Sequence, residues 1–318
     1  MKNFIKKTTN LILARFIGVS DFPDKVTDAS MRQKYAYLEA LISIVGNFLL
    51  AGIKVFFGLM LNSISLLADA AHTASDVLTS IVVLLGFKIS SSPADEKHPY
   101  GHGRIEFIAS LIIAVMLIFV GVEFGKTACE RFIMNTAVKG SLVVSVVMIA
   151  GALFKEWMAQ FSEELGKRTK ATALIADAWH HRTDAIASFM VAFAIIASQH
   201  GYYKVDAILG VVVSALIIYT GVGIALGSVS KIIGEVPDEA ELKEIEGFAL
   251  SVFGVTGVHK IKVHDYGAYK EISLHIILDK RLSLIEAHEI SEKVEKVIEK
   301  NIASKVIIHM EPALLKTN

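Results

Sequence analysis

Ala68-Asp69-Ala70-Ala71-His72-Thr73-Ala74-Ser75-Asp76 and Ala176-Asp177-Ala178-Trp179-His180-His181-Arg182-Thr183-Asp184 are two copies of one pattern, Ala-Asp-Ala-x-His-x-x-x-Asp. Each copy lies inside a long apolar run, and a serine follows each last aspartate by four residues (Ser80 and Ser188). Residues four apart share one face of a helix, so His72 with Asp76 and His180 with Asp184 each project as a pair. A carboxylate in hydrocarbon costs about 3 kcal/mol on insertion scales, and ionisable groups persist there chiefly where they bind, relay or conduct something. Hydrogen bonding between helices is the plainer role for one such pair. Two matched pairs supply two nitrogens and two oxygens, a set that suits a tetrahedral divalent metal. Asp69 and Asp177, three residues before the histidines, are expected near the same face in a supporting or proton-handling role.

Working outward, six windows reach the roughly 20 apolar residues a spanning helix needs: 36–59, 63–89, 105–126, 140–161, 172–198 and 205–229. No proline falls inside any of them. Over 318 residues the chain is 53% hydrophobic, with a mean hydropathy of +0.53, which points to a membrane protein carrying a polar part. Basic and acidic residues balance, so nothing suggests a nucleic-acid partner. The single cysteine, Cys129, excludes an internal disulfide framework and a thiolate metal site. Segment 1–35 begins MKNFIKKTTNLILARF, basic and mildly amphipathic, and reads as a surface-lying helix rather than a cleaved signal.

Basic residues crowd the amino-terminal region, the second loop (Lys88, Lys97, Arg104) and the fourth (Lys167, Arg168, Lys170), whereas the first loop has none. The third loop, with Lys126, Arg131 and Lys139, fits less well. Six spans with both termini in the cytoplasm fit this distribution best. Each copy of the pattern then lies in the second helix of a group of three, and the two helices run antiparallel. A polar site at mid-membrane built from inverted halves is a recurring transporter layout. The absence of targeting and glycosylation-type features favours a bacterial inner (plasma) membrane.

Composition changes at Glu235-Val236-Pro237-Asp238, dividing a membrane domain (36–230) from a tail domain (237–318). The tail reads helix 239–253, strands 257–265 and 270–278, helix 283–300 and a last strand from Lys305. Asp238 is a helix N-cap, and Ser283 with Glu286 is a capping box. The fold class is therefore an all-α six-helix transmembrane domain plus a small α+β domain. In the second loop, Asp95, His98 and His102 can converge on one ion around a glycine-permitted turn, although taken alone such residues read as solvated polar groups. In the tail, His309 and Glu311 share one face of the last strand, and His275 faces away from Ile272, Leu274 and Ile276.

These residues together resemble the cation diffusion facilitator family over nearly the whole chain. The resemblance is carried by Ser65-Leu-Leu-Ala-Asp-Ala-Ala-His-Thr-Ala-Ser-Asp, Tyr100-Gly-His-Gly-Arg, Ala176-Asp-Ala-Trp-His-His-Arg-Thr-Asp and Val306-Ile-Ile-His-Met-Glu-Pro. It implies a homodimer with six transmembrane helices and a cytoplasmic, ferredoxin-like metallochaperone domain, exporting divalent metal in exchange for protons. Residue by residue it implies a transport site of His72, Asp76, His180 and Asp184, and a loop site of Asp95, His98 and His102. It also implies a binuclear tail-domain site drawing on His259, His275, His288, His309 and Glu311. Arg104 stands where the family has a lysine in a charge interlock, and Ile233 stands at the partner aspartate's place.

The metal ions are substrate and regulator, and ligand softness favours zinc. The Trp-His-His-Arg-Thr-Asp form also resembles members linked to manganese or iron, so manganese, iron(II) and cobalt are the alternatives, with cadmium as a further candidate. Two rival classes differ in their consequences. A membrane metalloenzyme needs an open coordination position and a general base, and four protein ligands leave no obvious substrate pocket. A metal sensor or scaffold predicts metal-dependent changes without flux. The expectation is a transporter, not an enzyme.

Overall fold

In lipid every backbone group must bond within its own segment, so the apolar runs become helices. The computed structural model describes residues 2–18, 23, 26, 28–60, 64–134, 142–199, 203–267, 269–302 and 304–313. Its first compact unit holds α1 (Lys2–Ile17), α2 (Ala29–Met60), α3 (Ile64–Ser75), α4 (Val77–Ser90), α5 (Ile105–Met134), α6 (Leu142–Thr169), α7 (Thr172–Gln199) and most of α8 (Tyr203–Ile233).

Five described stretches are long and apolar enough to cross a membrane: Ser30–Met60, Asp69–Ser90, Ile105–Met134, Leu142–Thr169 and Ala207–Ile233. α7 matches them in length but not in apolarity, because Asp177, His180, His181, Arg182 and Asp184 crowd its first half. All of these but Arg182 are buried. Outer faces carry exposed Phe48, Phe56, Phe119 and Leu226, as suits a lipid surround. α1 does not merely lie on a surface. Leu13 joins a core cluster with Phe161 and Leu165 of α6.

Two local features set the site. The window expected as one helix over 63–89 breaks at Asp76, between α3 and α4. The Thr79 amide (3.2 Å) and hydroxyl (2.7 Å) both donate to the Asp76 carbonyl, tightening the turn there. The second feature is the reversal between α6 and α7. Lys170 takes the left-handed conformation (φ 54°), and the Ala171 amide donates to Gly166 O at 3.0 Å, a Schellman-type close. So short a turn makes α6 and α7 antiparallel neighbours. Arg32 pins the assembly: its Nη2 meets Glu106 Oε2 at 3.0 Å and its Nε donates to Thr169 O at 2.8 Å. Burial of Arg32 explains why α2 starts at residue 29 rather than 36.

α5 and α8 approach closely through small residues. A Cβ on Gly221 would lie 2.7 Å from Ile118 Cγ1, the packing expected where lipid offers no hydrophobic drive between helices.

The second unit contains Ser90–Arg104 and the chain from Ser230 onward. Its regular elements are α9 (Glu239–Leu250), β1 (Gly257–Asp265), β2 (Lys270–Leu278), α10 (Leu284–Asn301) and β3 (Ser304–Pro312). The sheet order is β1-β2-β3, antiparallel then parallel. Asp238 caps α9 and Ser283 forms the full capping box of α10, as the sequence predicts. Ile272, Leu274, Ile276 and Leu278 alternate into a core shared with Val294 and Ile298 of α10. Within this unit Arg104 stacks over the Tyr266 ring at 4.5 Å, Tyr100 stacks on Tyr266 at 5.5 Å, and Tyr269 donates to the Tyr100 carbonyl.

Candidate metal sites

α7 is unbroken and carries His180 and Asp184 one turn apart, while His72 and Asp76 flank the end of α3. The structure gathers His72, Asp76 and Asp184 within 4.8 Å of one another and sets His180 against the same two carboxylates. His72 Nε2 lies 3.8 Å from both Asp76 Oδ1 and Asp184 Oδ1. His180 Nε2 lies 3.7 Å from Asp76 Oδ1 and 3.6 Å from Asp184 Oδ2. These separations exceed hydrogen-bond length. They are close to the roughly 3.3 Å between donors that each sit about 2.0–2.1 Å from one tetrahedral ion. Neither ring nitrogen of buried His180 has a hydrogen-bond partner. The His72 side chain is 47% exposed against 3–5% for the other three, so the cluster opens on the His72 side.

One participant was missed in the sequence. Lys155 of α6, fully buried, places Nζ 2.6 Å from Asp76 Oδ2 and 2.9 Å from Asp184 Oδ2. The signal that could have found it is the short α6–α7 turn. Lys155 and Asp184 stand at nearly equal distances on either side of that reversal, hence at similar depth.

Asp69 and Asp177 do not stand at the ligand face. A three-residue offset turns a side chain by about 60°, and partners on other helix faces take up both carboxylates. Asp69 Oδ2 pairs with the buried Lys54 at 2.6 Å, and Lys54 also donates to Thr73 Oγ1 at 2.7 Å. Asp177 sits with Glu39 and His181 in a separate buried group. Arg182 turns outward to Glu163 at 2.7 Å and to the Trp179 ring at 5.1 Å.

In the second loop, Asp95 Oδ1 accepts the amides of Lys97 (2.9 Å) and His98 (2.6 Å). The amide of His98 is the main cause holding the Asp95 carboxyl below its usual range. His98 Nδ1 lies 3.3 Å and His102 Nε2 3.4 Å from that carboxylate, so the expected triad converges. Gly101, at φ 74°, supplies the turn.

In the tail domain Glu311 is the hub. His275 Nδ1 lies 2.7 Å from its Oε1 and His259 Nε2 3.2 Å from its Oε2. The His275 hydrogen bond holds the Glu311 carboxyl low. His309 pairs with His275 in the parallel register, ring centroids 4.5 Å apart. An irregularity between His259 and Lys262, with Lys260 at φ 52°, re-aims β1 beside this group. His288 does not join it within the protomer. α10 covers the apolar face of the sheet while the histidines occupy the other, and His288 faces Glu292 at 3.4 Å.

An apolar helical unit carrying two His–Asp pairs, joined to a small α+β unit with a His–Glu cluster, is the layout of a metal-cation transporter. Residues 40–233 match the model of the cation efflux transmembrane domain and residues 237–313 that of the cation efflux protein cytoplasmic domain. The chain belongs to this cation efflux (cation diffusion facilitator) family and is an integral membrane protein. It is 39% identical to an uncharacterized transporter of Methanocaldococcus jannaschii, over 81% of this chain and 92% of the relative. It is 30% identical to the manganese efflux system protein MneP of Bacillus subtilis, over 89% and 98%. With the cation-efflux pump FieF of Shigella flexneri it shares 26% identity over 89% and 95%.

Proposed function

We propose that the protein exports a divalent transition-metal cation from the cytoplasm in exchange for protons, with His72, Asp76, His180 and Asp184 as the carrying ligands. The observation behind this reading is that His72 and His180 both face the same two carboxylates, Asp76 and Asp184, and that buried His180 has unpartnered ring nitrogens. Lys155 supplies a resident positive charge: its ammonium neutralises Asp76 and Asp184, and an arriving M²⁺ takes its place. Metal and protons compete for the same lone pairs, which couples release to proton uptake. The loop triad (Asp95, His98, His102) and the tail group at Glu311 bind the same ions, the tail as a regulator.

In this reading the membrane part (36–230) makes six spans in the inner (plasma) membrane, both termini and the tail domain (237–318) are cytoplasmic, and two copies form a homodimer. The two-imidazole, two-carboxylate set suits zinc. Manganese is the second reading, favoured by the 30% identity to a manganese efflux system protein. Reconstituted vesicles under a pH gradient, offered zinc, manganese, iron(II), cobalt and cadmium in turn, test both. Flux that rises with the gradient and disappears in Asp184→Ala is expected. Transport by Asp184→Ala at the normal rate removes the site assignment.

A further inference from the structure

The transport cluster has a neighbour on the same helix. Glu39 of α2 and Asp177 and His181 of α7 are all fully buried, and each offers a ligand atom within 4.8 Å of the others. His181 Nε2 lies 3.2 Å from Asp177 Oδ2 and 3.0 Å from Ser43 Oγ. Ser43 donates to Glu39 Oε1 at 3.1 Å, and Ser162 of α6 donates to the same oxygen. Three polar atoms of the group have no partner: Glu39 Oε2, Asp177 Oδ1 and His181 Nδ1, while Asp177 Oδ2 faces His181 Nε2.

Buried carboxylates are stable when paired or when they coordinate a metal. Around Asp76 and Asp184 the pairing role falls to Lys155. Among the described residues no lysine or arginine ion-pairs with Glu39 or Asp177, so this second carboxylate pair has only the His181 imidazole beside it. We propose that Glu39, Asp177 and His181, with the Ser43 and Ser162 hydroxyls beside them, form a second intramembrane site for a divalent cation. Two carboxylates, one imidazole and hydroxyl oxygens make a harder donor set than that of the transport cluster. It takes manganese(II) or iron(II) in preference to zinc. Since His180 and His181 are consecutive, with ring centroids 5.8 Å apart, the two sites stand side by side on α7.

This goes beyond the transport reading, and its test measures binding rather than flux, so either can fail alone. Full-length protein in detergent is dialysed to equilibrium against Mn²⁺, and bound metal is counted per chain. Glu39→Gln keeps the shape of the side chain and an acceptor for Ser43 and Ser162. It is expected to bind one Mn²⁺ fewer than the unaltered protein, with the same helical circular dichroism. In a background carrying His72→Ala, Asp184→Asn, His98→Ala, His102→Ala, His275→Ala and His309→Ala, one Mn²⁺ is expected to remain and to vanish on adding Asp177→Asn. Equal stoichiometry in the unaltered protein and Glu39→Gln overturns the site and leaves a proton shared by Glu39 and Asp177. A remaining ion indifferent to Asp177→Asn overturns it too.

Discussion

Lys155 Nζ and Asp76 Oδ2 meet at 2.6 Å with both side chains out of solvent, across α6 and the joint between α3 and α4. The same ammonium reaches Asp184, so one lysine ties together carboxylates from both copies of the sequence pattern. A buried charge left without its partner costs about 3–5 kcal/mol. Any cation entering here must replace what Lys155 provides.

Lys155→Met is therefore expected to unfold at lower temperature without metal and to regain stability when zinc or manganese is added. Metal affinity rises about tenfold, ~1.4 kcal/mol, because no resident ammonium has to leave. Turnover falls, since protons alone, without the Lys155 ammonium, replace the ion on release. Thermal unfolding with and without metal, beside vesicle flux, checks all three.

His72 is the one half-exposed member of the four. His72→Asp replaces a nitrogen donor by an oxygen donor and moves the set toward harder ions. The ratio of manganese to zinc flux should rise about tenfold, read from competition in vesicles. An unchanged ratio would separate His72 from selectivity.

A Cβ on Gly103 would stand 1.8 Å from the Tyr266 carbonyl oxygen, a collision with backbone that cannot be relieved by a rotamer. Gly103→Ala should cost about 1–3 kcal/mol and loosen residues 90–104 from the Tyr266 stack. Faster hydrogen exchange of those loop amides in the full-length protein is the expected reading.

The capping box of α10 gives a stability prediction with a sign. Ser283→Ala should cost the helix about 1 kcal/mol. Hydrogen bonding to the Ser283 amide and hydroxyl holds the Glu286 carboxyl below its usual range. Its contribution is thus complete above the unfolded value of about 4.3 and is lost as pH falls through the lower folded value. Protection of the α10 amides, taken relative to the intrinsic exchange rate at each pH, should fall on acidification, and in Ser283→Ala this pH response should shrink.

The four donors proposed for transport were legible because each pair is local: His72 with Asp76 and His180 with Asp184 need only helical spacing. The caps at Asp238 and Ser283 were legible for the same reason. Lys155 was not, because its partners lie 79 and 29 residues away and a lysine in Phe154-Lys155-Glu156-Trp157 reads locally as a helix nearing water. Glu39 was hidden likewise, since its contacts with Ser162 and His181 exist only once α2, α6 and α7 pack. The break at Asp76 left no proline or glycine signal. It rests on Thr79, a residue that helices commonly hold without bending. His288 shows the opposite limit, where a motif position was legible but the face its helix covers was not.

The interruption at Asp76 has a mechanical consequence. α7 runs unbroken from Thr172 to Gln199, so His180 and Asp184 travel as one stiff rod. Asp76 occupies the knuckle between two shorter rods, Ile64–Ser75 and Val77–Ser90. The Asp76 amide stays tied to His72 O at 3.1 Å, so a bend at this single residue would carry Asp76 with His72 and shift both against α7. In the proposed transport reading, half of the donor set is an anvil and the other half a jaw, and a grip would tighten or open from one side alone.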